Sequence, residues 1–583
     1  MNERPFGEFL FSTLADLSVR HVFGIPGDYV LPLYAALEAT DGIEAVVATH
    51  EPCAAFSADA YGRQAGLGVL LVTYGVGGFN AMNGVAGAYA EQSPLLVVSG
   101  GPPRGYTQTG DPLQPIPHHV LRTATDQLDA YRRVTDLALR LEDPATAARD
   151  VVRAARWARD RKRPVYLEVP TDLMTAPIGM GAMDPPTDSD DPADLDRAVA
   201  LFRDRLGRAD RPVVLAGMEV ARHRLGQEVR RIMHGFGAPA VTTILAKSAL
   251  PDGEPGVLGV YGGVLSTDPG ARSLVESADL VVALGSVATD VNCGVFTADL
   301  HADRLLIARS GWIGDASHPL TTGVGFARFV RGLAADLPPP AADLPSPAAD
   351  PSMAWPTVGR FDYATSRSRM DRYLGVVEAH LRPGDLVVAD TGDSCCGSLA
   401  MRIPRENGYL ANAFYGSMGF AVPAALGAHL AEPDARPVVL VGDGAFQMTG
   451  LELSNSVRRG LDPIVVLWNN DGFGMQRIFQ DGPFNDIGRW DYQQIPALLG
   501  GGRAWRAQSP EDLGAALAQA RDYREGPSII EAVVERGEVS TGMEIFGRAF
   551  GREKTGACPA APPDAPPCAH HDTCAYCRAA IWK

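Results

Sequence analysis

Short apolar runs of strand length recur along the whole chain. They lie at residues 69–74, 95–99 and 164–169, then at 212–216, 240–243, 280–284 and 304–308, and again at 386–389, 438–441, 464–468 and 528–533. Within each run the apolar positions are nearly continuous rather than alternating, as a strand buried on both faces of a parallel sheet requires. Between them lie Ala-rich stretches of helical character, such as 80–91, and residues 1–24 read as an amphipathic helix followed by a strand. Strand and helix in alternation predict an α/β protein of doubly wound, mostly parallel sheets, with ligands outside the carboxyl ends of the strands.

Two stretches interrupt the alternation: MDPPTDSDDPA (183–193) and LPPPAADLPSPAADPSMAWP (337–356). Such composition resists packing and reads as linker. The expected organisation is three parallel-sheet domains, 1–182, 190–338 and 357–555, followed by an irregular tail, 556–583. Net charge is −17 and no Lys/Arg-rich run occurs, which argues against a nucleic-acid or anionic-membrane surface. No apolar run approaches the roughly 18 residues of a membrane span, and the N-terminus does not read as a signal peptide, so a cytoplasmic enzyme is expected. Cys53, Cys293, Cys395 and Cys396 lie in the body and the other four of the eight cysteines crowd the tail, a distribution unlike a secreted disulfide framework.

The clearest chemistry lies in 437–472, PVVLVGDGAFQMTGLELSNSVRRGLDPIVVLWNNDG. Two buried-type strands flank one helical stretch, where Thr449 and Glu452 have capping-box spacing. A right-handed crossover makes the strands parallel, so Asp443 and Asn470 emerge at the same edge. A carboxylate, an amide oxygen and the free carbonyl of Gly472 form an oxygen-only set suited to Mg²⁺ with phosphate and water. Gly442 and Gly444 allow close approach to phosphate. GDG or NN alone is an ordinary turn; the pair at this spacing carries the metal reading.

GDG followed by NN after one helix and one strand resembles the thiamine-diphosphate enzymes. The resemblance extends from Phe6 to about Arg552 and is nearest to the 2-oxo acid decarboxylases acting on pyruvate, indolepyruvate and phenylpyruvate. GIPGDYVLPLY (24–34), THEPCAAFSADAYGRQAG (49–66) and VTYGVGGFNAMNGVAGAYAEQSPLLVVSG (72–100) resemble their pyrimidine-binding domain. The resemblance implies that Glu51 bonds the aminopyrimidine ring and activates the cofactor. Thr391, Gly416, Met418, Asp443, Gly444, Ala445, Asn470 and Gly472 are the implied cofactor contacts, with Mg²⁺ on Asp443, Asn470 and Gly472. Asp28 in GDY and the pair His118–His119 match an acid and paired histidines above the reacting ring, where an imidazole titrating near pH 6.5 can carry protons. DGPFNDIGRWDY (481–492) matches the decarboxylases' sequence after NN. The implied reaction is non-oxidative decarboxylation of a 2-oxo acid to an aldehyde through the cofactor's enamine, in a homodimer or homotetramer whose active sites combine two subunits.

Departures from the pattern bear on the substrate. Gln476 stands where the decarboxylases usually carry a glutamate, and an amide cannot act as a carboxylic acid. Gln476 either lets a second carbonyl compound be captured, giving a carboligase of acyloin or acetolactate-synthase type, or leaves His119 as the proton donor. A third reading is a catalytically silent cofactor-binding protein. In TGDSCCGS (391–398) two small cysteines replace bulky aromatics. If Cys395 lines the pocket, a 2-oxo acid larger than pyruvate, aromatic or branched, is admitted. Residues 212–310 resemble the central domain, which in some relatives holds FAD; no GxGxxG loop follows a strand there, and no functional FAD is expected. In the tail, Cys568, His570, His571, Cys574 and Cys577 offer zinc-type ligands with a CxxC spacing, the alternative being a mobile or redox-labile segment without metal.

Overall fold

The computed structural model describes residues 3–106, 113–179, 191–338 and 361–554. Three large sheets and one short antiparallel pair, Glu3–Pro5 with Pro177–Gly179, organise the described residues. The first has six strands in the order Glu44–Val47, His21–Gly24, Gly68–Val72, Leu95–Gly101, Val165–Pro170 and Leu137–Arg140, all parallel. The third has six parallel strands in the order Tyr409–Ala411, Leu386–Ala389, Pro437–Gly442, Ile464–Asn469, Ser528–Val533 and Arg503–Ala507. By chain position the two orders are identical, so the outer domains repeat one topology. Their central strands are buried along their length, which accounts for the continuous Val/Ile/Leu runs.

The middle sheet orders Val257–Tyr261, Ala240–Thr243, Pro212–Ala216, Leu280–Leu284, Leu305–Arg309, Trp312–Asp315 and Pro319–Thr321. The first five are parallel and the last two antiparallel, so this sheet is mixed rather than wholly parallel. The linker reading of 183–193 needs correction at its end: the Asp191 carboxylate accepts from the Ala193 amide (2.9 Å) and caps helix Pro192–Arg208, the proline occupying a first-turn position where no amide is needed. Leu337 likewise packs on the middle core. The remainder of both stretches, 183–190 and 339–356, and the tail with its candidate zinc ligands lie outside the described residues.

The expected single helix after Asp443 is broken into Asp443–Thr449, the 3₁₀ turn Gly450–Glu452 and Leu453–Arg459. Thr449 and Glu452 do not form a capping box. The Thr449 hydroxyl donates to the Gly419 carbonyl (2.8 Å), and the buried Glu452 carboxylate accepts from the Thr49 amide (3.0 Å) and Asn455. Tertiary partners have taken both side chains from the local motif.

Outer domains meet through helix Glu51–Ala65, which packs against helix Ala421–Ala431 and helix Val76–Ala90. Small residues at the crossing bring the backbones together: a Cβ on Gly427 would lie 1.9 Å from the Ser57 carbonyl, and the Ser57 hydroxyl donates to the Pro423 carbonyl (2.8 Å). The buried Arg63 guanidinium satisfies its neighbours at the same seam, pairing with Asp59 and donating to Ser93 and the Ala411 carbonyl. Replacing Gly427 by Ala should force the helices apart and destabilise the protein by about 1–3 kcal/mol. At Gly514, where a Cβ meets only ordinary contacts at 3.6 Å, alanine should be neutral or stabilising; urea unfolding of the two variants distinguishes a packing limit from a generic glycine effect.

Candidate active site

Register in the third sheet brings the candidate metal ligands together. Gly442 pairs with Trp468, so Asp443 and Asn470 leave adjacent parallel strands at the same carboxyl edge. Asp443 is 1% exposed, and its carboxylate accepts from the amides of Gly444 (2.7 Å), Gly472 (3.1 Å) and Asn470 (3.2 Å). Burial pushes its pKa up to about 6, against the pull of those amides. Its charge is thus oriented by backbone yet stays close to protonation.

Three oxygens converge here. The Asn470 amide oxygen stands 2.8 Å from the Gly472 carbonyl oxygen and 3.3 Å from Asp443 Oδ1; reversal of the amide would turn both contacts into hydrogen bonds. Adjacent ligands of an octahedral Mg²⁺ at 2.0–2.1 Å are separated by about 2.9 Å. The oxygen set therefore fits a small hard cation. Among the described residues lining the adjoining cavity there is no Lys or Arg, so a diphosphate there needs a cation to balance it.

That cavity, about 330 Å³, is lined by Thr391, Gly416, Met418, Asp443, Gly444, Ala445, Asn470, Gly472 and Gln476, which brings together nine of the residues singled out from the sequence. Gln476 lies on the short helix Gly474–Phe479 and is exposed. Both vicinal cysteines also line the cavity, but differently. Cys395 packs into the third core and receives the Tyr409 hydroxyl on its sulfur (3.8 Å), whereas Cys396 lies among Met475, Ile478 and Phe546. Burial pushes the Cys395 thiol up to about 11, so it sits there as a small hydrophobe rather than a thiolate.

Two features of this site escaped the sequence reading. Asp390, fully buried, accepts from the amides of Thr391 (2.9 Å), Gly419 (3.0 Å) and Ala421 (2.8 Å) and so clamps the GSMG loop to the end of strand Leu386–Ala389. Helix Thr541–Lys554 covers the cavity with Phe546 and Phe550. It is tethered at its start, where the Ser540 amide and hydroxyl donate to Asp393 and the Thr541 hydroxyl donates to Asp371 (2.6 Å). The covering element thus precedes the Cys-rich tail. An Asp directly after a buried strand run is the signal that points to Asp390; nothing local marks the closing helix.

The remaining candidates lie apart on the first domain and do not line this cavity, whose walls come from the middle and third domains. Glu51 opens helix Glu51–Ala65 and accepts from Asn80 Nδ2 (2.7 Å), a partner that spacing did not indicate. Asp28, His118 and His119 form one cluster: His118 Nε2 bonds Asp28 Oδ2, His119 Nε2 lies 3.9 Å from Asp28 Oδ1, and the two imidazoles are 4.6 Å apart. The Tyr29 hydroxyl donates to the His118 carbonyl (3.0 Å). Partial burial raises the Asp28 pKa, but the hydrogen bond from His118 and the neighbouring imidazole charges outweigh it and hold the carboxyl below its ordinary value.

Comparison with known proteins identifies the same three-part order. Residues 4–130, 199–306 and 379–532 match the N-terminal TPP binding domain, the central domain and the C-terminal TPP binding domain of thiamine pyrophosphate enzymes. The chain is 36% identical over 547 residues to an indole-3-pyruvate decarboxylase of Azospirillum brasilense, covering 92% of this chain and 97% of that protein. It is 33% identical to alpha-keto-acid decarboxylases of Mycolicibacterium paratuberculosis and Mycobacterium avium, covering 91% of this chain and 94% of each.

Burial raises the Asp390 pKa from 3.8 to about 6 despite its three amide donors. The folded chain takes up this proton at higher pH than the unfolded chain, so the group favours folding increasingly as pH falls from about 6 toward 4 and adds no pH dependence above that window. In thermal melts of wild type and Asp390→Asn, the difference in Tm should shift in favour of wild type as pH is lowered from 6.5 to 4.5; the opposite trend would mean that the carboxylate is stabilised, not penalised, by its site.

Proposed function

The chain belongs to the thiamine-diphosphate enzymes, in the 2-oxo acid decarboxylase family, and from that premise we propose that it removes CO₂ from a 2-oxo acid larger than pyruvate, aromatic or branched, and releases the aldehyde. The observation that carries this reading is the convergence of the Asp443, Asn470 and Gly472 oxygens at the edge of a cavity whose walls are otherwise largely apolar. Those three residues would hold Mg²⁺, and the Gly444–Ala445 backbone would face the diphosphate. Bound thiamine diphosphate supplies the electron sink for loss of CO₂.

The chain's own residues then have separable tasks. Glu51, held by Asn80, would hydrogen-bond the aminopyrimidine ring and keep its proton in place. Asp28 orients His118 and His119 for proton delivery to the reacting carbon. Gln476 can orient a substrate oxygen but cannot supply a proton as a carboxylic acid does, which leaves that work to the histidines. Leu265, Val291, Phe546 and Phe550 exclude water from the cavity.

Since the cavity is built from the middle and third domains while Glu51 and the histidines sit on the first, the complete site requires a second copy, and the working unit is at least a homodimer. The acidic charge, with no helix long and apolar enough to cross a membrane among the described residues, accords with work in the cytoplasm.

Incubation with thiamine diphosphate, Mg²⁺ and a panel of 2-oxo acids should yield CO₂ and aldehyde in equal amounts, with Glu51→Gln lowering kcat about 10²- to 10⁴-fold. CO₂ only on addition of a second carbonyl compound, with a hydroxyketone product, would make the enzyme a carboligase; cofactor binding without CO₂ from any acid would overturn decarboxylation. The substrate-size reading has its own test. Cys396, the more exposed of the pair, faces the covering helix, and Cys396→Phe should shift relative kcat/KM from aromatic acids toward pyruvate by about tenfold or more.

A further inference from the structure

Gln127 takes no part in the cavity, lies fully buried beneath the first domain's strands, and has every polar atom of its amide engaged. Its Nε2 donates to the Ser99 hydroxyl (2.8 Å) and the Tyr166 hydroxyl (2.7 Å), and its Oε1 accepts from the Gly75 amide (2.7 Å). The orientation is forced. Tyr166 spends its one proton on Glu168 Oε2 (2.7 Å), and Ser99 spends its own on the Gly100 carbonyl (3.0 Å), so both hydroxyls can only accept from Gln127. Glu168 is in turn anchored by Arg140, whose guanidinium also donates to the Pro102 carbonyl (2.7 Å). An ion pair thus dictates, through one tyrosine, which end of the Gln127 amide faces Gly75.

Gly75 is the contact between this network and the chemistry. Its φ is +68°, and a Cβ there would stand 2.7 Å from both the Cβ and the carbonyl oxygen of His119, itself left-handed at φ +69°. The two backbones are pressed together. On the other side of the same turn, Gly77 abuts Glu51, with a Cβ position 3.6 Å from Glu51 Oε1, and Asn80, four residues into helix Val76–Ala90, holds Glu51 directly. The Tyr131 hydroxyl, donating to the Gly78 carbonyl (2.7 Å), braces that turn from below.

We propose that Gln127 is a positioning residue: by gripping the Gly75 amide it sets the 75–80 turn, and through it the backbone of His119 and the Asn80–Glu51 pair, without touching substrate or cofactor. The assignment rests on the decarboxylase reading for the roles of His119 and Glu51, but the hydrogen-bond logic does not. Groups facing His119 are Asp28, His118 and Tyr29, and Gln127 is in contact with none of them.

Gln127→Met keeps the volume and removes all three hydrogen bonds. Gln127→Glu keeps an acceptor for Gly75, and Ser99→Ala removes a partner of Gln127 while leaving that acceptor in place. With full-length protein, thiamine diphosphate and Mg²⁺, Gln127→Met should lower kcat about 10- to 100-fold with KM for the 2-oxo acid little changed, because misplacement acts on the reacting geometry rather than on substrate binding. Gln127→Glu should recover most of the loss at the acidic end of the activity range, where its carboxyl is neutral beside Glu168, and Ser99→Ala should stay near wild type. Independently of turnover, NMR titration of the ¹⁵N-labelled His119 ring, assigned with His119→Gln, should show a changed midpoint or tautomer in Gln127→Met. An unaltered His119 titration together with a pH–rate profile parallel to wild type, whatever the change in Tm, would reduce Gln127 to a structural role and overturn the proposal. Absence of decarboxylation in wild type would refute the activity while leaving the NMR comparison to decide on Gln127.

Discussion

The close crossing of helices Glu51–Ala65 and Ala421–Ala431 is the constraint on which the rest of the molecule depends. It exists because Gly427 has no side chain to hold the Ser57 carbonyl away, and because Arg63 and Asp59 bury their charges together at the same seam. One helix begins with Glu51 and the other follows the loop clamped by Asp390. A change in their approach would therefore move Glu51 and the cavity wall at Gly416 and Met418 at the same time. A well-packed interior transmits such shifts because it has few voids to absorb them.

Electrostatic order at the third sheet's edge comes from buried carboxylates fed by backbone amides. Asp443 and Asp390 each collect three amide donors, which fixes the direction of their lone pairs while burial keeps them near protonation. Buried charge held by amides alone is costly, and the cost is incurred beside the cavity. The first domain does it differently: the buried Glu168 carboxylate is held by the side chains of Arg140 and Tyr166, and through Tyr166 it orients Gln127. In both outer domains, a carboxylate near a strand end aligns a glycine turn.

Closure of the cavity is a separate matter. Phe546 and Phe550 reach it only because Asp393 and Asp371 hold the start of the last helix against the third domain. This ties water exclusion to side chains 147 and 170 residues away in sequence from the groups they hold.

The periodicity of short, continuous apolar runs was enough to read three mostly parallel sheets, since a strand buried on both faces can tolerate little else, and the spacing of GDG and NN placed Asp443 and Asn470 on one edge because parallel strands leave no other geometry. Those features are local or follow from handedness alone. The breaking of the helix after Asp443 was not legible, because Thr449 and Glu452 are taken by Gly419 and Thr49, residues distant in sequence. The same holds for Asp390, Asn80, Gln127 and the closing helix, each defined by what it meets rather than by its neighbours in the chain. Sequence by itself determined the strand and helix pattern and which acids, amides and imidazoles stand as candidates at strand ends and loops; only tertiary structure decided which of them come together, because long-range packing sets the turns and orientations that carry them.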